Sequence, residues 1–395
     1  MTLDQGRRIA VVTGTRAEYG LLTPLLGELR DDPAIELLLI VTGMHLSPEF
    51  GLTMQQIVDD GFAIDAKVEM LLSSDTPVGI TKSMGLALIG FADALDRLKP
   101  DLIVLLGDRY EIMTAAQAAM IANIPIAHLH GGESTEGAID EAIRHSITKI
   151  SHLHFTSAEP YRQRVIQLGE DPQRVYNVGA IGLDNIRKIK LLEKDELERA
   201  LDFKLGEVNL LVTYHPLTLS KQSSSELMTQ LLTALERFPQ AKIVFTKPNS
   251  DTDGRIIAKM MDEYAASHPD RVKCFTSLGQ LRYLSALRYV KAVVGNSSSG
   301  IIEAPMFRVP TVNIGSRQAG RIKAASVLDC GSSSEEIVAT IQWALSDTFS
   351  ESLSDVVSLY GEGNAAPKIK RVLKSVKLEG LLMKSFYDLR SEAII

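Results

Sequence analysis

Runs of apolar, often β-branched residues recur along this chain without polar alternation, and helical stretches follow them. Residues 8–12, 37–41, 101–106 (DLIVLL) and 124–127 form one series. Strands with no polar face are buried on both sides, as in a parallel sheet covered by helices. Between the first two runs, Leu21, Leu22, Leu25, Leu26 and Leu29 make the apolar stripe of a helix. The pattern restarts at 209–213, 241–245, 292–294 and 310–314, after a charged helical stretch over about 186–203. A chain of 395 residues exceeds one ordinary core. The expectation is an α/β chain of two Rossmann-like doubly wound domains facing a central cleft. They span 1–182 and 206–364, with a hinge between them. A helical tail over 365–395 can pack back on the first domain. Ligands of open parallel sheets bind beyond the carboxyl ends of the strands, and the polar motifs of this chain follow its strands directly.

Bulk properties narrow the function classes. A net charge of −7 argues against a nucleic-acid partner, but not against a small anion held by a local patch of arginines and backbone N–H groups. No apolar run long enough to cross a bilayer stands out, and residues 1–8 lack the pattern of a signal peptide. Two cysteines, Cys274 and Cys330, exclude a disulfide scaffold and suit a reducing cytoplasm.

Each motif carries a functional and a plain reading. Thr13-Gly14-Thr15-Arg16 closes the first strand; Arg16 suits a phosphate, or is a surface residue of an ordinary turn. Asp108, with Arg109 after it, sits at a strand end where a catalytic acid belongs, or it caps the next helix. His128-Leu129-His130-Gly131-Gly132-Glu133 leads to Asp140, Arg144 and His145, with Asp140 and Arg144 on one helix face. Five histidines between 128 and 154 invite a metal, but no HExxH occurs, and His152 and His154 read as structural. His215-Pro216 aims a histidine out of a sheet edge. Gly295-Asn296-Ser297-Ser298-Ser299-Gly300 reads as a phosphate cradle or a flexible turn. Glu303 reads as a ribose acceptor or a helix-dipole contact. Arg317 repeats the anion logic after the next strand.

The ordered set TGTRAEYG, TGMHL, GDRYEI, HLHGGESTEGAIDEAIRHSITK, HP, KPNSD, GNSSSGIIE, NIGSRQAGR and YGEGNAAPKI covers nearly the whole chain. It resembles the UDP-N-acetylglucosamine 2-epimerase family, which has the two-domain GT-B architecture. TRAEYG, GDR and IRHSITK resemble the hydrolysing, NeuC-type subgroup of bacterial sialic-acid pathways. The resemblance implies elimination of UDP across C1–C2 to a 2-acetamidoglucal, then hydration to N-acetylmannosamine. It implies proton transfer by Asp108, Glu133 and Asp140, with His215 as a proton or phosphate partner. It places Ser297, Ser298, Gly300 and Arg317 at phosphate, Glu303 at ribose, Arg16 at the diphosphate, and His45 and Arg109 on the sugar side. His130, Arg144, His145 and Asn249 complete the expected substrate-binding set. Some relatives carry HxEGGE, so His130 replaces an acid here. Asp108 and Glu133 are the expected essential pair, with Asp140 organising Arg144, His145 or water. The resemblance implies no cofactor or metal, and a homodimer or homotetramer.

Three rivals remain. The same chemistry can act on UDP- or GDP-linked 2,4-diacetamido-2,4,6-trideoxyglucose of the legionaminic acid pathway. A GT-B glycosyltransferase shares the nucleotide cradle but needs an acceptor. A non-catalytic sugar-nucleotide sensor would not need the acids.

Overall fold

The structure, a computed structural model, describes residues 6–72, 74–135, 138–217, 222–248 and 253–389. The first sheet contains β1 (Arg7–Thr13), β2 (Ile35–Thr42), β3 (Ala66–Val68), β4 (Leu102–Leu106), β5 (Ile126–Leu129), β6 (Leu153–Thr156) and β7 (Val175–Asn177). The second contains β8 (Asn209–Thr213), β9 (Lys242–Thr246), β10 (Val272–Phe275), β11 (Ala292–Gly295), β12 (Thr311–Ile314) and β13 (Val327–Cys330). Their orders are β3-β2-β1-β4-β5-β6-β7 and β10-β9-β8-β11-β12-β13. The paired strands run parallel. Strand order reverses between β1 and β4 in one sheet and between β8 and β11 in the other. Those switch points are where such sheets open a ligand crevice.

The elements follow from the apolar pattern. Ile9, Val11, Leu39, Val41 and Val104 enter one core with Leu22, Leu25, Leu26 and Leu29 of the helix Arg16–Arg30. Ala10, Val12, Ile40, Ile103 and Leu105 face the other side of the same sheet. The predicted strand 124–127 begins instead at Ile126. Pro125 has no N–H to donate to the ladder, although its carbonyl accepts from Ile103. The edge strands β3, β7, β10 and β13 are three or four residues long and carry too little pattern to read.

Two regions depart from expectation. The stretch read as a hinge forms the helices Leu183–Lys188 and Lys194–Leu201. Leu197, Leu201 and Phe203 share a core with Leu211 and Val244, so the second packing unit takes in residues before 206. The helix Pro77–Leu98 is long and apolar enough to span a membrane by length and composition, with a mean hydropathy of 1.4 over its most apolar 18 residues. The sequence reading missed it because its small residues and scattered charges make no unbroken apolar run. One face, including Ile80, Ala87, Phe91 and Leu95, packs into the core on the Ala10 and Val12 side of the first sheet, while Val78, Leu86 and Ile89 are exposed.

The chain ends back on the first unit. Ala365, Ala366, Ile369 and Leu373 of the helix Ala365–Ser375 join the core around β1 and β2. Asp184 accepts the backbone N–H groups of Ala365 and Ala366 at 2.8 and 2.7 Å, fastening the start of that helix.

Candidate active site

A cavity of about 340 Å³ lies between the two switch points. Arg16, Asp108, Arg109, His130, Glu133, Asp140 and Arg144 line it from the first unit. His215, Ser297, Ser298, Glu303 and Arg317 line it from the second. Motifs far apart in sequence converge here because most of them follow the carboxyl ends of parallel strands at or beside a reversal of strand order.

Asp108 follows β4 and Gly107, whose φ is +80°. It does not cap the next helix: Arg109 is at the N-cap and supplies no side-chain cap, and Asp108 instead pairs with Nη2 of buried Arg144. Arg144 also donates to the Glu133 carbonyl, to Glu141 at 3.0 Å and to Thr135 at 2.6 Å. Burial, and then the nearby Arg321 and Arg317, hold its guanidinium well below the usual range. Three guanidinium groups, those of Arg144, Arg317 and Arg321, thus gather at one end of the cavity, a local positive patch that suits an anion. Arg109 Nε donates to Glu111 at 2.7 Å.

His130 occupies the left-handed region at φ +64°, and Gly132 follows at φ +79°. A side chain at Gly132 would strike the backbone of Tyr161, so only glycine lets this loop lie against that helix. The loop brings His130 Nδ1 to 3.0 Å from Glu133 Oε1. The Ile181 N–H donates to His130 Nε2 at 3.3 Å. A ring nitrogen that accepts carries no proton, which assigns the proton to Nδ1, facing Glu133. Ser157 Oγ donates to the same Glu133 oxygen at 2.5 Å, and Arg321 Nη1 lies 2.6 Å from the other. Burial alone would raise the Glu133 pKa; Arg321 and His130 outweigh it and bring it to about 2. Glu133 is therefore an ionised anchor that fixes the orientation of the His130 imidazole at the cavity wall.

Asn296, fully buried after β11, organises the second wall. It accepts the His215 N–H at 2.7 Å and donates to the His215 carbonyl at 2.8 Å. Its own carbonyl accepts from Arg317 Nη1 at 3.3 Å and Gln318 Nε2 at 2.8 Å. The helix after the serines is a single turn, Ser299–Ile302, and Glu303 lies at its C-terminal end. A favourable helix-dipole contact is thus not what places Glu303. Burial pushes its pKa to about 7, and its Oε2 is buried with no hydrogen-bond partner. A ribose hydroxyl is a partner such an oxygen can accept.

Three expected substrate contacts lie elsewhere. His45 is fully buried behind the wall, with Nε2 3.0 Å from Thr13 Oγ1 and Nδ1 2.8 Å from Thr53 Oγ1. Burial lowers its pKa to about 4, so it is a neutral strut. Gly300 is packed against β12, where a Cβ would strike Thr311; its need for glycine is steric. His145 bonds Glu141 at 3.1 Å and does not line the cavity. Glu141 thus engages both Arg144 and His145, a role the sequence reading gave to Asp140. Asn249 lies outside the described residues. The remaining histidines disperse: His128 contacts the Gly107 carbonyl at 2.7 Å, His152 the Ile126 N–H at 3.1 Å and His154 Glu170 at 3.0 Å.

Sequence reasoning also missed Arg321, Ser157, Asn296 and Glu18. Glu18 accepts the N–H groups of Gly14 and Thr15 at 2.7 and 3.1 Å. Burial, then neighbouring Glu111, raise its pKa to about 8. The capping-box spacing Thr15-x-x-Glu18 was a readable signal for that residue.

A model of the family described as UDP-N-acetylglucosamine 2-epimerase matches residues 27–374. The chain is 42% identical to a Campylobacter jejuni GDP/UDP-N,N'-diacetylbacillosamine 2-epimerase (hydrolyzing), over 97% of this chain and 99% of that protein. It is 38% identical to the Escherichia coli polysialic acid biosynthesis protein P7, over 97% of this chain and 98% of that one. The structure of Neisseria meningitidis UDP-GlcNAc 2-epimerase bound to UDP-GlcNAc superimposes with a TM-score of 0.78. It covers 93% of this chain and 99% of that one at 19% identity, a likeness of fold.

Proposed function

This chain belongs to the UDP-N-acetylglucosamine 2-epimerase family, and from that premise we propose that it is a hydrolysing 2-epimerase of a nucleotide-linked 2,4-diacetamido-2,4,6-trideoxyglucose. One observation carries the chemistry: Asp108, His130 with Glu133, and Asp140 face the Ser297–Ser298 and Arg317 wall across one cavity. That arrangement suits a reaction that moves protons at C2 while a diphosphate leaves C1. Identity of 42% to a diacetylbacillosamine enzyme, against 38% to the polysialic acid protein, supports the diacetamido sugar over UDP-N-acetylglucosamine.

In this reading a base takes the C2 proton and the C1–O bond breaks. Its electron pair leaves with the diphosphate, and a C1=C2 double bond remains. Arg16, His215 and Arg317 receive the leaving group's charge, with Glu303 at the ribose. Water then adds its oxygen to C1 as a base takes one of its protons, and an acid returns a proton to C2 on the opposite face. His130 above Glu133 takes one proton-transfer role and Asp108 the other, while Asp140 holds the water. We extend the proposal to a cytoplasmic enzyme, for which the free thiols Cys274 and Cys330 speak. We also propose a homodimer or homotetramer, and light scattering that gives a monomer mass would refute it.

A panel of UDP-N-acetylglucosamine and the UDP- and GDP-linked diacetamido sugars tests the substrate. The expected result is nucleotide release without an acceptor, with at least about tenfold higher kcat/KM on a diacetamido sugar. That factor corresponds to about 1.4 kcal/mol of transition-state preference. A preference for UDP-N-acetylglucosamine reverses the sugar assignment. Release only with an acceptor indicates a glycosyltransferase.

A further inference from the structure

The turn after β12 touches both walls within five residues. Arg317 and Gln318 hold the Asn296 carbonyl on the Ser297–Ser298 side. Arg321 crosses the cavity: its Nε donates to the Ser134 carbonyl at 2.8 Å, and its Nη1 lies 2.6 Å from Glu133 Oε2. The next residue, Ile322, is held to the first unit as well. Its N–H donates to Tyr161 Oη at 3.0 Å, and its carbonyl accepts from Tyr360 Oη at 3.0 Å. The two tyrosine hydroxyls lie 2.9 Å apart, so this half of the turn is pinned by a continuous polar chain.

Arg321 and Glu133 are both nearly inaccessible, with side-chain exposures of 6% and 2%. A buried ion pair is costly to desolvate and contributes little net stability beside an apolar substitute. The pair does give the turn a direct hold on the carboxylate that orients His130.

We propose that Arg321 is a positioning residue that couples occupation of the nucleotide side to the catalytic side, by clamping Glu133 beneath His130 when the two walls close. Nucleotide bound against Arg317 favours the closed arrangement of the turn, and Arg321, four residues on, carries that bias to Glu133. Coupling of this kind requires that the ligand bind one arrangement better than the other. The charged and titratable groups facing the pair are His130, Glu141, Arg144, Tyr161, Glu303 and Tyr360. Arg321 is the cation in ionic contact with Glu133 that comes from the second unit. The catalytic consequence rests on the hydrolysing-epimerase reading; the coupling does not.

Hydrogen exchange with UDP as the probe tests the coupling without any turnover. In the unaltered protein, UDP is expected to slow exchange at residues 295–300 and also at 131–135 across the cavity. In Arg321→Met, protection of 295–300 should persist and that of 131–135 should vanish, with UDP affinity within about threefold of the original. In Arg321→Lys the distal protection should return in part. Distal protection that survives in Arg321→Met overturns the proposal, as does its absence in the unaltered protein. If Arg321→Met does not fold, Arg321→Lys with full distal protection retained and kcat unchanged is equally contrary. On a turned-over substrate, Arg321→Met should lose about 100-fold in kcat with little change in KM. Added to Glu133→Gln it should cost less than about threefold more, because both act through one carboxylate. Additive losses would show a merely structural role. Failure of the unaltered enzyme to release nucleotide from any sugar would refute the functional reading and leave the exchange result to decide the coupling.

Discussion

His130 and Glu133 form a pair in which the imidazole donates through Nδ1 across 3.0 Å and keeps Nε2 as an acceptor. The carboxylate, held to a pKa of about 2, fixes the orientation of the His130 ring, much as the acid of a catalytic triad orients its histidine. This assigns to Glu133 the part of an anchor, where the sequence alone suggested a proton carrier.

Glu133→Gln should therefore lower kcat by about 10²–10⁴, the usual range for disabling general acid–base catalysis. It leaves Arg321 buried without its carboxylate, so a lower melting temperature should accompany the loss. UDP binding, measured by calorimetry, should stay within a few fold. Near-normal turnover in a folded variant would remove the pair from the mechanism.

Asp108→Asn should also abolish turnover, for a different reason. It removes the acid at the β4 switch point and weakens the hold on Arg144, a guanidinium already strained by burial. Calorimetry should show UDP still bound. A folded variant retaining more than about a tenth of the original kcat, well short of the loss expected when general acid–base catalysis is disabled, would exclude Asp108 from proton transfer.

Asn296→Ala should act on affinity. Asn296 makes two side-chain bonds to the His215 backbone, at 2.7 and 2.8 Å, and the variant removes both. At about 0.5–1.5 kcal/mol net for each bond that holds His215 in its binding position, UDP should bind about tenfold more weakly. Unchanged UDP affinity would show that His215 is placed by something else.

The pH dependence of stability has a definite sign at Glu303. Its folded pKa of about 7 lies above the ordinary 4.5, so the folded state holds an extra proton between those values. Its contribution is fully present below pH 4.5 and is lost as pH rises through 7. Glu303→Gln should thus match the unaltered protein in denaturant melts at pH 4 and exceed it at pH 8, by roughly 3 kcal/mol at most. Equal stability at pH 8 would contradict the buried, proton-holding state.

The sequence carried the two sheets because β1, β4, β8 and β11 are unbroken apolar runs with motifs directly after them. Edge strands of three or four residues had no such pattern. Single-motif logic found Asp108, Asp140 and Arg317, since each follows a strand or opens a helix. The family resemblance put His45 on the sugar side, but its partners Thr13 and Thr53 surround it only once β1 and β2 lie side by side. Single-motif logic could not see that Ser157 and Arg321 share Glu133, because they reach it from another strand and from the other packing unit. Glu141 escaped notice because a helix face shared by Asp140 and Arg144 drew attention to the neighbouring acid.

Elimination across C1–C2 followed by hydration of the double bond leaves a solvent-derived hydrogen at C2. The most direct measurement is turnover of the preferred nucleotide sugar in D2O, with the released sugar examined by NMR. The account predicts one deuterium at C2, inverted configuration at that carbon and one nucleoside diphosphate per sugar. Released sugar that keeps its original C2 hydrogen and configuration would contradict it.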